Sequence, residues 1–405
     1  MRVLLALLLV GIVGCDDSSP PGGGAVPTPD ESQAKVDKSS AQAVDTDPVV
    51  ATLKMYEAYI KKNEQGEVAE VITDAGLVHL EGLNHLKIKR NEQGEVVEVI
   101  TDAGLVHLEG LNHLKNLNLE FTQITDAGLV HLKGLTKLET LSLTFTKITD
   151  AGLVHLKGLT NLQTLSLYRT KVTDAGLVHL SGMTSLQSLF LSSTKVTSTG
   201  MVHLKGLQLT SLAIPNDAKT DLGLKHYLAA LETHTALNLS GWKITDAGLV
   251  HLKGMTNLQK LVLSGSITDA GLVHLKGLTN LQALRLDATK VTDAGLVHLK
   301  GLQLTSLGIP NDAKTDLGLK HYLAALETHT ALNLSGWKIT DAGLVHLKGM
   351  TNLQKLVLSG SITDAGLVHL KELTNLQECW LDGTQVTDEG VAELKKALPK
   401  CKISH

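Results

Sequence analysis

A threonine opening a segment of the type Thr-Asp-Ala-Gly-Leu-Val-His-Leu recurs at Thr73, Thr101, Thr125, Thr149, Thr173, Thr197, Thr220, Thr245, Thr268, Thr292, Thr315, Thr340, Thr363 and Thr387. Successive copies lie 23, 24 or 25 residues apart, after a first step of 28. No unit this short can bury an apolar face alone, so a fixed period of this length forces neighbouring units to stack into a solenoid. Length therefore sets the number of stacked units and not a number of globular domains. The 405 residues are 3% aromatic with leucine recurring in every unit, so the core is expected to be an aliphatic ladder.

Charge and cysteine content narrow the function classes. The formal net charge is −4, with no block of basic residues. Nucleic acid is not expected as a partner, since that would call for a clustered Lys/Arg footprint. Three cysteines cannot build a disulfide framework. At the N-terminus, Met1-Arg2 precedes an apolar run from Val3 to Val13, too short to span a membrane and read as a secretory signal. Residues 15–48 are rich in Ser, Pro, Gly, Asp and Lys, a composition expected to form a disordered tether. Val49, Val50, Leu53, Tyr56 and Ile60 then recur at helical spacing, which predicts a capping helix over residues 49 to 61. The turn Asn63-Glu-Gln-Gly should lead into a strand, and Asn63–Lys87 reappears as Asn91–Lys115 with only Ala69 changed to Val97. Residues 49–100 thus read as the cap helix with abbreviated repeats, and 101–405 as the solenoid proper.

From Leu114 each unit carries Leu-x-x-Leu-x-Leu-x-x-Thr-x-Val/Ile, as in Leu162, Leu165, Leu167, Thr170 and Val172. The Leu-x-Leu alternation has period two and predicts a short strand with both leucines inward. Thr-Asp then starts a helix, where a hydroxyl or carboxylate caps free N–H groups and suits the helix dipole. Gly152 removes a side chain where coils approach closely. Two units deviate, Thr197–Ile244 and Thr292–Ile339, each with Ile-Pro-Asn-Asp-Ala-Lys before a longer helix such as 222–232. Val202–Gln282 matches Val297–Gln377 at an offset of 95, with only Ala213/Gly308 and Gly277/Glu372 different. One segment was copied in frame, which argues against a single site spanning the duplicated coils.

These motifs resemble the leucine-rich-repeat family, in the 24-residue subclass with Ile-Thr-Asp-x-Gly-Leu at the helix start, over residues 63–405. The resemblance implies an α/β solenoid, a right-handed horseshoe with a parallel sheet on its concave face and helices on its convex face, acting by binding. Threonine stands at Thr122, Thr146, Thr170, Thr194, Thr289 and Thr384, where the family has asparagine or cysteine. Its hydroxyl is expected to bond the backbone of the next coil. Roughly 4.8 Å per strand would make fourteen coils roughly 70 Å long. Val13-Gly14-Cys15 resembles the bacterial lipobox, which implies removal of residues 1–14 and lipidation of Cys15, leaving the chain on a membrane of the cell envelope. An ordinary signal peptide with an incidental cysteine is the alternative.

Candidate chemistry is sparse. Histidine occupies the sixth position after the opening Thr from His79 to His369, with Glu393 in the last unit. Zinc needs nitrogen ligands at about 2.0–2.1 Å, while no second ligand lies at i+3 or i+4 of His131 or His155. No metal or cofactor is expected, and the histidines read as part-exposed helix residues copied with the repeat. No nucleophile elbow or phosphate loop appears, so no enzyme is expected. Cys379 and Cys401 replace core residues of successive strands and are expected as stacked neighbours, read as free thiols in preference to a disulfide. For binding, the outward strand positions matter. Most are small, but Phe121, Phe145 and Arg169 occupy equivalent positions on successive coils, with Tyr168 and Phe190 nearby. They read as an exposed patch for a protein or peptide, or as turn packing within the solenoid. Arg285, Asp287, Trp380 and Asp382 form a second, weaker patch. The expected protein is a monomeric, membrane-anchored binding scaffold. A passive spacer is the alternative, and a ubiquitin-ligase-type adaptor a remote one that the lipobox opposes.

Overall fold

A computed structural model describes residues 61–62, 68–70, 85–86, 100–231, 234–327 and 329–405. The chain divides into two units, Met1–Asp45 and Thr46–His405, and every described residue lies in the second. The expected signal peptide, the lipidation site Cys15 and the tether fall outside the described residues. So does the expected cap helix except Lys61, which belongs to a strand.

The strands are β1 (Lys61–Lys62), β2 (Val68–Glu70), β3 (His85–Leu86), β4 (Asn116–Asn118), β5 (Thr140–Ser142), β6 (Thr164–Ser166), β7 (Ser188–Phe190) and β8 (Ser211–Ala213). They continue as β9 (Ala236–Asn238), β10 (Lys260–Ser264), β11 (Ala283–Ala288), β12 (Ser306–Gly308), β13 (Ala331–Asn333), β14 (Lys355–Val357), β15 (Glu378–Trp380) and β16 (Lys402–Ser404). β1 and β2 pair antiparallel, and every later pairing is parallel and between consecutive strands. In-register leucines stack through the coils, Leu117 on Leu141 on Leu165 on Leu189. All are at most 1% exposed, each burial contributing about 1.5–3 kcal/mol. This is the stacked solenoid that the spacing predicts, with the α/β leucine-rich architecture that the family resemblance implies.

Across each coil the chain makes one α-turn and one 3₁₀ turn, Asp150–Leu153 then Val154–Leu156, or a 3₁₀ segment alone such as Gly128–Leu132. Ten-residue helices occur at Asp221–Ala230, Asp316–Ala325 and Asp388–Ala397. Thr149 caps its turn through the Ala151 N–H, as expected. The aspartate beside it does something else. Asp150 reaches forward, its Oδ1 accepting the Thr173 N–H at 2.7 Å and its Oδ2 the Thr173 hydroxyl at 2.6 Å. The same pair of bonds joins Asp102 to Thr125, Asp174 to Thr197, Asp246 to Thr268 and Asp341 to Thr363. These hydrogen bonds hold the Asp364 carboxyl below its ordinary range, the Thr387 hydroxyl being the larger cause. The repeated glycine is what admits the carboxylate. A Cβ on Gly176 would stand 2.4 Å from Asp150 Oδ1.

Two expectations about the ladder need correction. The Thr122, Thr146 and Thr170 hydroxyls donate to Leu119 O, Leu143 O and Leu167 O of their own coils, not to the next, because the turn brings the carbonyl three residues back within 2.6–2.8 Å. The sheet is also not continuous. It forms a six-stranded β3–β8, a four-stranded β9–β12 and a four-stranded β13–β16, so the ladder breaks at β8/β9 and β12/β13. Both breaks fall in the deviant units. There Leu209 pairs with Leu231 and Leu304 with Leu326, three residues before the positions where register would place the partners, His234 and His329. Strands entered out of register diverge, and pairing resumes only at Thr220/Lys243 and Thr315/Lys338.

The C-terminal strand is shifted too. Cys379 stands opposite Ile403, not Cys401, because β16 begins at Lys402. Both thiols are buried and free, and burial together with the neighbouring Cys401 pushes the Cys379 thiol up to about 12.

Candidate functional site

The first patch lies just after the strands and not on them. Phe121, Phe145 and Arg169 have φ of 62°, 57° and 55°, in the left-handed turn that follows each Leu-x-Leu. Glycine holds the equivalent position in other coils, at Gly241, Gly265, Gly336, Gly360 and Gly383, with φ between 73° and 87°. A bulky residue there costs about 1–2 kcal/mol of backbone strain. The turn aims each side chain along the stack toward its neighbour. Phe121 and Phe145 stack at 4.4 Å between centroids, Tyr168 meets Phe145 edge-on at 5.6 Å, and the Arg169 guanidinium sits 4.7 Å from the Phe145 centroid. Each ring contact contributes about 0.5–1.5 kcal/mol, so the stacking offsets the strain without clearly exceeding it. The rings remain half-buried and Arg169 exposed.

Phe190 does not join this row. It lies on β7 between Ser166 and Ala213, and no ring contact involves it among the described residues. What lies beside the row instead is a line of hydroxyls that the spacing did not reveal. Ser142 Oγ donates to Glu120 Oε1 at 2.7 Å, and the Thr144 and Ser166 hydroxyls share a bond of 2.7 Å. Ser142 and Thr144 are buried and Glu120 and Ser166 half-buried, so these bonds tie the coils together beside the aromatic and cationic ridge, which itself offers apolar rings and a guanidinium to a protein surface.

The second set of residues is divided. Arg285 and Asp287 are on β11, their Nε and Oδ2 2.7 Å apart, both exposed. Trp380 is on β15, with the Lys355 ammonium 5.7 Å from its ring and its indole N–H donating to Glu378. β12, β13 and β14 separate them, so they form two small sites. The Arg285–Asp287 pair also explains one difference between the duplicated segments. A Cβ on Gly308 would stand 2.3 Å from Asp287 Oδ2, whereas Ala213 has Phe190 opposite it.

The histidine row is only part-buried. His131 Nδ1 meets Glu109 Oε1 at 2.5 Å across adjacent coils, a partner that reading along one helix could not suggest. The Nδ1 atoms of His155 and His179 are buried without a partner, and burial lowers the His179 pKa first, with Lys157 adding to it.

Residues 110–132 and 136–196 match models described as leucine rich repeat. No curated protein matches the chain. Among solved structures it is similar to an internalin from Listeria monocytogenes, 23% identical over 89% of this chain and 94% of that one, with a TM-score of 0.36. It is also similar to a leucine-rich-repeat protein from Leptospira interrogans, 20% identical over 82% and 80%, with a TM-score of 0.37. The in-register leucine ladder and the repeat-model matches over residues 110–132 and 136–196 together show a leucine-rich-repeat solenoid fold.

Proposed function

We propose that this leucine-rich-repeat protein is a non-catalytic binding scaffold, exported and held by a lipid on Cys15 at a bacterial envelope membrane, which captures a protein or peptide on the Phe121–Phe145–Tyr168–Arg169 ridge. The observation that carries the reading is the choice of residue at the left-handed turn. Five later coils use glycine there and the adjoining coil uses the small Ser193, while three successive coils place Phe, Phe and Arg at a strain that their mutual stacking only offsets. Side chains kept at no clear gain in stability are better explained by what they touch outside the chain.

The test uses the same backbone argument. A Phe145→Gly/Arg169→Gly variant loses the ridge but relieves two left-handed turns, so its stability is expected within about 1 kcal/mol of the parent. Photocrosslinking on intact cells should then show a drop of at least about tenfold in captured partner, as expected when central aromatic and arginine anchors are lost. Equal capture by the folded variant would leave the spacer reading, which the small outward residues elsewhere on the strands favour. The anchor is tested separately. Cys15→Ser should move the chain from the membrane fraction to the soluble fraction, because lipid chains supply the membrane affinity. Retention of the variant in the membrane fraction refutes the anchor.

A further inference from the structure

The two breaks in the sheet leave backbone groups without partners at places fixed by the repeat. In regular coils the residue just after each strand donates its N–H to the next coil, as Leu143 does to Ser166 O, Leu167 to Phe190 O and Leu191 to Ala213 O. The residue opening each strand donates back, as Thr164 does to Glu139 O and Lys260 to Thr235 O. Among the described residues these bonds are missing at Ile214 and Ala236, and again at Ile309 and Ala331. They are the positions flanking β8/β9 and β12/β13. Unpaired strand edges are templates for another strand.

The space between the edges is open. A cavity of about 310 Å³ lies between β8 and β9, lined by Thr210, Ser211 and Leu212 on one side and by Ala236, Leu237 and Asn238 on the other. Leu212 and Leu237 are 8% and 5% exposed, against 0% for Leu165 and Leu261 in paired strands. Among the described residues no charged group lines it. At its floor is His234, standing where other coils have a buried leucine such as Leu258, with its Nε2 buried and unpartnered. His329 repeats this at the second break, its Nε2 likewise without a partner.

We propose that each break is a slot for one extended, uncharged peptide segment of a partner protein, which adds as a strand between the facing edges. The free N–H groups of Ile214 and Ala236 donate to its carbonyls, and the described lining, which includes Tyr227, Leu231 and His234 and holds no charged side chain, disfavours charged residues. The 95-residue copy makes a second slot with the same chemistry at Ile309 and Ala331. A partner carrying two such segments would gain by linkage, the second engagement being intramolecular. Nothing here depends on the aromatic ridge, so the two can fail independently.

Hydrogen exchange of the full chain tests it, with acetyl-Ser-Ala-Thr-Ala-Ser-amide as the probe. In the free chain the amides of Ile214, Ala236, Ile309 and Ala331 should exchange at least about 100-fold faster than those of Leu143 and Leu167. The probe at about 1 mM should slow those four amides and leave the ridge unchanged. An Ala236→Pro/Ala331→Pro variant removes two donors that bond nothing in the free chain, so it should stay folded and lose the effect. Protection in the free chain equal to that of Leu143 would overturn the proposal by showing the breaks closed. Protection that grows with chain concentration would overturn it in favour of a second copy as occupant. No slowing by the probe would also overturn it.

Discussion

Gly223→Ala is expected to destabilise the chain by about 3 kcal/mol or more, read as a shift of the urea midpoint in circular dichroism. Gly223 is the third residue of the Asp221–Ala230 helix, which follows the turn at Asn216–Ala218. A Cβ there would lie 1.7 Å from Ala218 O and 2.9 Å from Ala218 C. Both are backbone atoms, so no rotamer change relieves the clash, and the turn or the helix must move. The Thr220 hydroxyl that accepts the Gly223 N–H at 3.1 Å would lose its partner as well. Since coils touch only their neighbours, the damage should stay local and split the melt into two steps. Gly318→Ala should do the same, its Cβ meeting Ala313 O at 1.8 Å. A single unshifted transition for either variant would contradict the geometry.

Asp150 and Gly176 should behave as one unit. Asp150→Ala strips the acceptor from the Thr173 N–H and hydroxyl and leaves a partly buried donor, at a cost of about 2–3 kcal/mol. Gly176→Ala drives a Cβ against that carboxylate at 2.4 Å and should cost a similar amount, roughly 2 kcal/mol. In the double variant the carboxylate is gone and most of the clash with it, although Leu153 Cδ1 at 3.1 Å and the Cα of residue 150 at 3.2 Å remain. The double should therefore cost little more than Asp150→Ala alone, a coupling of about 1–3 kcal/mol in a double-mutant cycle. Additive losses would show that the glycine serves some end other than room for the aspartate.

The fold was legible because period and alternation are properties of the chain itself. Leu162, Leu165 and Leu167 could be placed in the core from their spacing alone, and each is 0% exposed. The candidate site was legible only in part. Phe121, Phe145 and Arg169 could be picked out as odd members of a repeated position, but their backbone could not, since left-handed φ belongs to the turn and not to the residue type. Arg285 and Trp380 looked like partners because both broke the pattern, yet their strands lie in different sheets. Glu120, Ser142, Thr144 and Ser166 carry no signal in the sequence, because each is ordinary alone and they bond into a polar strip only when coils stack.

The sequence by itself determined that this chain stacks, which leucines fill its core, and that glycine is required beside each Thr-Asp. Those follow from local periodicity, which every unit carries whole. Only the tertiary structure decided where Asp150 points, since its partner Thr173 sits a full coil away. It alone decided that the rings of Phe121 and Phe145 meet, and that the sheet parts at β8/β9 and β12/β13. Contacts between coils depend on register, and a shift of three residues at Leu231 or Leu326 is invisible until the neighbouring strand is in place.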